Sequence, residues 1–214
     1  MIRLYTTPVS NFAAKVEIAL RLKGLAFEPM APPGGYGSAT YKAIVPAGTI
    51  PAIVHDGLVL AESETIVEYL DEAFPEPPLL PEGAAARARC RQLARFHDTR
   101  LEPPLRALFP HLAPAGRDPA VVERQLELFR TRLADLAAMA TPAPWLAGPA
   151  LTLADLPYPP TLGMARLMLE HLDHALALPP ALEDWHALAT AHPAVAPVLA
   201  AQETAQRAWL ACRT

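Results

Sequence analysis

Apolar and polar positions alternate in two rhythms along the first third of the chain. The run Ile2 to Tyr5 is short and apolar-rich and is closed by Thr6-Thr7-Pro8, which predicts a strand. From Asn11 to Lys23 the spacing of Phe12, Val16, Ala19 and Leu20 is that of one helix face, and Gly24 stands where a helix stop is expected. A second strand is predicted over Ala26 to Met30. It is followed by a Gly/Pro-rich loop from Ala31 to Gly37 and a short helix from Ala39 to Ile44. The segment from Thr49 to Val54 reads as a strand with Pro51 near its start, and His55-Asp56-Gly57 turns it into Leu58-Val59-Leu60. Helical spacing returns from Ser63 to Phe74, with Ile66, Val67, Leu70 and Phe74 on one face. The predicted order is β-α-β-α-β-β-α, a parallel βαβ half joined to an antiparallel hairpin.

After this the rhythm changes. Pro75-Glu76-Pro77-Pro78-Leu79-Leu80-Pro81 is a stiff linker. No strand signal follows residue 84, and the clearest helix runs from Asp118 to Met139 with Val122, Leu126, Phe129, Leu133 and Leu136 at spacings of four and three. The expected organisation is an α/β domain over residues 1–78 and an all-α domain over residues 85–214.

Composition narrows the function. With 52% hydrophobic and 19% charged residues the chain is an ordinary globular protein. Much of the apolar fraction is alanine, no stretch reaches the ~20 bulky apolar residues of a membrane helix, and Met1 to Tyr5 lacks the apolar region of a signal peptide; a cytoplasmic protein is expected. A net charge of −4 without a basic run argues against nucleic acid as the main partner. The two cysteines, Cys90 and Cys212, lie far apart, which excludes a disulfide framework and a cysteine-rich zinc site. The stretch Glu170-His171-Leu172-Asp173-His174 has the residue types of a metal site without its spacing, and no metal is expected. The three tryptophans are expected in helix packing.

Three features of the first half carry candidate chemistry. Ser10 sits at the junction of the first strand and first helix, either as an N-cap or beside amides and a helix dipole that favour negative charge. Ile50-Pro51 opens a strand, either as a trans edge proline or as a cis bond that turns the Ile50 backbone toward a ligand. Glu62-Ser63 starts the third helix. Ser63 is expected to cap it, and together the pair can hold the carboxylate and ammonium of an α-amino acid.

Taken together, Leu4 to Ser10, Lys15-Val16, Ala19-Leu20, Thr49 to Val54, Asp56-Gly57 and Leu60 to Leu70 resemble the glutathione-binding half of bacterial glutathione transferases. Thr152-Leu153-Ala154-Asp155, a capping box, and the segment from Pro180 to Val195 resemble the helical half of the same family. The resemblance implies a thioredoxin-like fold followed by a helical domain that forms the pocket for an electrophile. It implies glutathione as co-substrate and a twofold homodimer. By it, Ile50, preceding the cis proline Pro51, pairs with the cysteinyl backbone of glutathione, while Glu62 and Ser63 hold the γ-glutamyl group and Thr49 lies near the glycine end. Asn11 and Tyr36 are secondary contacts. The family often has Asn-Pro where this chain has Val45-Pro46 and Lys or Gln where it has Thr49, and Pro157, Pro159 and Pro160 fall inside the helix expected after the capping box.

The reactive position holds Ser10-Asn11-Phe12-Ala13, with no sulfur, so a protein-thiol mechanism is not expected. What remains is activation of the glutathione thiol by a hydrogen bond from Ser10, with Tyr5 as a rival donor pointing into the core. A small hydrophobic electrophile is the expected second substrate. The alternatives are a non-catalytic glutathione-transferase-like scaffold and a glutathione-dependent isomerase or dehalogenase.

Overall fold

A computed structural model describes residues 1–213. Strand β1 (Ile2–Tyr5) is the centre of a four-stranded sheet with β2 (Phe27–Met30), β3 (Ala52–His55) and β4 (Leu58–Ala61), in the order β2-β1-β3-β4. β1 pairs parallel with β2, Leu4 opposite Pro29, and antiparallel with β3, Leu4 opposite Ile53; β3 and β4 form the hairpin. Its turn places Asp56 at φ 48° and Gly57 at φ 84°, the two successive left-handed residues that suit the twist of a two-residue hairpin loop. The period of two along the strands divides the side chains between two cores. Leu4 and Ile53 join the main core with helices α1 (Asn11–Leu22) and α3 (Ser63–Ala73), while Tyr5, Ala52 and Val54 pack under Tyr41 and Val45 beside the single turn α2 (Ala39–Lys42). This is the parallel and antiparallel pairing expected from the element order, and the thioredoxin-like fold that the resemblance implies.

Beyond it the chain is helical: α4 (Ala84–Phe96), one π-helical turn (His97–Leu101), α5 (Glu102–Arg106), α6 (Pro119–Met139), α7 (Tyr158–His171), α8 (Pro180–Ala191) and α9 (Ala196–Ala211). Helix α6 buries Val122, Leu126, Phe129, Leu133 and Leu136, the stripe its sequence spacing picks out. The proline segment after α3 is pinned. Lys23, buried at the end of α1, donates to Asp71 at 2.9 Å and to the carbonyls of Phe74 and Pro77 at 2.7 and 2.8 Å.

The capping box forms, but the helix starts later than expected. Asp155 accepts from the amide and hydroxyl of Thr152 at 2.9 and 3.1 Å, and also from the Leu146 amide and the Trp185 indole. α7 itself begins at Tyr158, so Pro159 and Pro160 lie in its first turn, where no intrahelical amide bond is due and proline is tolerated. Helices α7 and α9 pack on α1, which puts the end of β1 and the start of α1 against the helical half. Among the described residues no helix is long and apolar enough to cross a membrane.

Candidate functional site

Two adjoining cavities open where α1 begins. The first, about 460 Å³, is bounded by Thr49, Ile50, Pro51, Glu62 and Ser63 from the sheet half and by Arg95, Asp98 and Arg106 from the helical half. The second, about 350 Å³, holds Ser10 and is walled by Val9, Phe109, Met164, Trp209 and Arg213. Phe12, Tyr36, Ile50 and Arg106 belong to both. Each falls in the ~300–1,000 Å³ range of small-molecule sites.

Ser10 is the N-cap of α1: its Oγ accepts from the Ala13 amide at 3.1 Å. That bond uses a lone pair and leaves the hydroxyl proton to be donated, so the capping reading and the donor reading are compatible. Tyr5 is buried against Tyr41, as the alternation along β1 demands. Tyr36 is exposed and reaches both cavities.

Ile50 and Pro51 are joined by a cis peptide bond, just ahead of the β3–β4 ladder, whose pairing begins at Ala52 and Ala61. Tyr41 donates to the Thr49 carbonyl at 2.8 Å; burial, then the neighbouring Tyr5 and Tyr36, push its phenol up to about 12 and keep it protonated. Thr49 lines the first cavity, and its hydroxyl oxygen is buried without a hydrogen-bond partner.

One expectation is corrected at this end of the fold. Ser63 does not cap α3. It is the first helical residue, and Glu62 occupies the cap position with no side-chain bond to the helix amides. Those amides therefore face the cavity without a side-chain cap, a better anion site than a capped end. Glu62 is exposed and sits at φ 68°, ψ 110°, a conformation that costs a non-glycine residue ~1–3 kcal/mol and is held by its surroundings. Asn11 is buried and its amide oxygen accepts from Gln202 at 2.9 Å and Gln206 at 3.2 Å, so that oxygen fastens α1 to α9. The polar character of Asn11 was legible, but not the partners that α9 brings to it.

Trp209 packs partly buried against the core, as expected, and also borders a cavity. Trp145 and Trp185 are core residues, whereas Trp209 lines the second cavity, with Phe109 against it at 5.2 Å and the Arg213 guanidinium 3.7 Å from its ring centroid. The histidines near the end of α7 are engaged locally. His171 meets the Leu112 carbonyl and His174 pairs with Glu123.

A charged network that sequence reading missed lies beneath the first cavity. Lys15, fully buried in α1, contacts Glu64 at 2.5 Å, Asp98 at 3.2 Å and the Ser63 hydroxyl at 3.3 Å. Asp98 also binds His97 Nδ1 at 2.7 Å, and His97 Nε2 meets Thr161 at 2.7 Å. Burial works to raise the Asp98 carboxyl, but the His97 bond and the Lys15 charge outweigh it and hold it below the usual range. Burial raises the Glu64 carboxyl in spite of Lys15 and lowers His97 in spite of Asp98. The network ties α1, the start of α3, the π-helical turn and α7 together under Ser63. Its only sequence signal is a lysine at the centre of an apolar helix pattern.

The sequence profile of the glutathione S-transferase N-terminal domain matches residues 4–78. A solved glutathione S-transferase from Rhodospirillum rubrum F11 is 30% identical, covers 92% of this chain and 91% of its own, and superposes with a TM-score of 0.72. The chain belongs to the glutathione S-transferase family. A Tau-class glutathione S-transferase from mango, Mangifera indica, superposes with a TM-score of 0.81 over 96% of this chain and 97% of its own; at 22% identity it shares the fold. Among curated relatives, glutathione S-transferase 1 of Dianthus caryophyllus is 38% identical over 104 residues, and the chain spans about half the length of the curated relatives it matches, 47% in this case. Family membership accounts for the thioredoxin-like sheet followed by helices.

Proposed function

We propose that the chain is a glutathione transferase in which residues 1–78 bind glutathione and residues 85–214 wall the pocket for a small electrophile. The uncapped α3 amides and Ser63 receive the γ-glutamyl carboxylate, and Glu62 receives the ammonium. Ile50 faces the cysteinyl backbone, and Thr49, with its unpartnered hydroxyl, lies in the same wall. Glutathione supplies the reacting sulfur. Ser10 donates a hydrogen bond to the thiolate and, with the N-terminus of α1, stabilises the anion at neutral pH. Each unit by which the thiol pKa falls corresponds to ~1.4 kcal/mol of preference for the thiolate.

The observation that carries this reading is the Ser10 hydroxyl at the head of α1. It is anchored through its oxygen by Ala13, has its proton free to donate, and lies in a cavity that adjoins the glutathione site. Ser10→Ala should bind glutathione nearly as tightly, because recognition rests on Glu62, Ser63 and Ile50. It should also raise the pKa of bound glutathione by ~1 unit or more, for one lost charge-assisted bond. Turnover at neutral pH falls accordingly and recovers in part at higher pH. The check is thiolate absorbance of bound glutathione against pH, with the rate toward an aryl chloride. If both curves stay in place, Ser10 is a helix cap and nothing more.

A further inference from the structure

The second cavity carries a charge pattern that a pocket for neutral hydrophobic electrophiles does not need. Its aromatic and aliphatic walls, among them Phe12, Phe109, Met164 and Trp209, are interrupted by two arginines, and no carboxylate of the described residues lines it. The Arg213 guanidinium carbon stands 3.7 Å from the Trp209 ring centroid and its Nη1 donates to the Trp209 carbonyl at 2.8 Å, and it has no carboxylate partner among the described residues. Arg106 stands 5.5 Å from the ring centroids of both Phe12 and Phe109. Its Nε and Nη2 are held by the buried Glu102 at 3.1 and 2.5 Å, which leaves Nη1 to meet another acceptor.

Arg106 is thus held by Glu102 with two rings beside it, and Arg213 by the ring and carbonyl of Trp209. Among the described residues Arg106 is paired with Glu102 and Arg213 with no carboxylate, so these residues give the cavity a net positive charge beside its aromatic walls. A guanidinium is a planar fork of donors matched to a carboxylate, and in a partly desolvated apolar pocket such a pair is stronger than in water.

We propose that the second substrate is a planar organic anion, an aryl or unsaturated electrophile with a carboxylate, whose apolar body lies among Phe12, Phe109 and Trp209. Its carboxylate is received by Arg213, with Arg106 as the second donor. This rests on the transferase reading above and makes its electrophile acidic rather than simply hydrophobic.

The test is a matched pair of electrophiles. One is a chlorodinitrobenzoate with its carboxylate para to the chlorine; the other is the chlorodinitrobenzene that lacks only that carboxylate. In both, the thiolate sulfur forms a bond to the ring carbon, the carbon–chlorine bond breaks, chloride leaves and the thiol proton passes to solvent. Each kcat/KM is divided by the uncatalysed rate with glutathione, which removes the intrinsic effect of the substituent. The normalised preference for the acid should be about tenfold or more, as expected for one charge-assisted pair. It should collapse about tenfold in Arg213→Gln and return in part in Arg213→Lys. If the arginines serve only the glutathione thiolate, both substrates slow together, the preference is unchanged, and the proposal is overturned. Should neither compound react, the transferase reading fails and binding decides the pocket. Quenching of Trp209 fluorescence, assigned with Trp209→Phe, must then show dinitrobenzoate binding about tenfold tighter than dinitrobenzene and losing that advantage in Arg213→Gln. Equal affinities overturn the proposal.

Discussion

Lys15 is the perturbation that tests the buried network most directly. Its ammonium has no exposure to solvent and faces two carboxylates, Glu64 and Asp98, the first buried almost completely. Lys15→Met keeps the length and apolar stem of the side chain and removes only the charge, leaving both carboxylates without their cation. Breaking a buried pair from one side costs ~3–5 kcal/mol, a large part of the ~5–15 kcal/mol that holds a domain folded. The loss should also depend on pH. The Glu64 carboxyl is already raised by burial, and Lys15 is what opposes that rise. Without Lys15 it rises further, so in the variant the folded chain takes up a proton before the unfolded chain does. A group whose folded pKa lies above its unfolded value destabilises at high pH and ceases to do so as pH falls through the folded value. Each tenfold gain in the carboxyl's proton affinity is worth ~1.4 kcal/mol. The stability difference between variant and wild type should therefore shrink by ~1–2 kcal/mol between neutral pH and about pH 5.5. Urea unfolding followed by circular dichroism at both pH values measures it. A difference below ~1 kcal/mol, or one unchanged by pH, would show that Glu64 and Asp98 are solvated and that the network is not a buried one.

Two other outcomes follow. Burial lowers the basicity of His97 and of His186, so the unfolded chain binds more protons below about pH 6.5 and stability should fall there by up to ~1.4 kcal/mol per pH unit for each group; His97→Gln should be less stable at neutral pH but lose stability less steeply between about pH 6.5 and 5, and an unchanged slope in thermal melts refutes this. Sedimentation at micromolar concentration should give about twice the 23.0 kDa chain mass, as the family resemblance implies for a twofold dimer, and a monomer mass overturns that expectation.

Much of the fold was legible before any coordinates because it rests on local rules. Alternation over Ile2–Tyr5 and Ala52–His55, the Asp56-Gly57 turn, the stop at Gly24 and the Val122-to-Leu136 stripe each express backbone sterics and burial within one element. The first cavity was legible for a related reason. Ile50-Pro51 and Glu62-Ser63 lie at strand and helix ends, where unpaired backbone groups mark a candidate site in the sequence itself, as Ser10 does at the second cavity. What depends on pairs far apart in the chain was not legible. Asn11 could be read as a site residue, but nothing local announced that Gln202 and Gln206 donate to its oxygen. Ser63 looked like a cap, although its hydroxyl turns toward Lys15 and leaves the amides of α3 without a side-chain cap. Trp209 packs against the core as expected, but the Arg213 that meets its ring beside the second cavity was not legible. Lys15, Glu64, His97 and Asp98 are individually ordinary polar residues, spread over two helices and a π-helical turn. A single chain pattern records which face of an element is apolar, but not which polar side chain from another element will satisfy a buried charge. That choice is made only when α1, α3 and the helices of the second half close on one another, because only then does desolvation make an unpaired group costly and its partner specific.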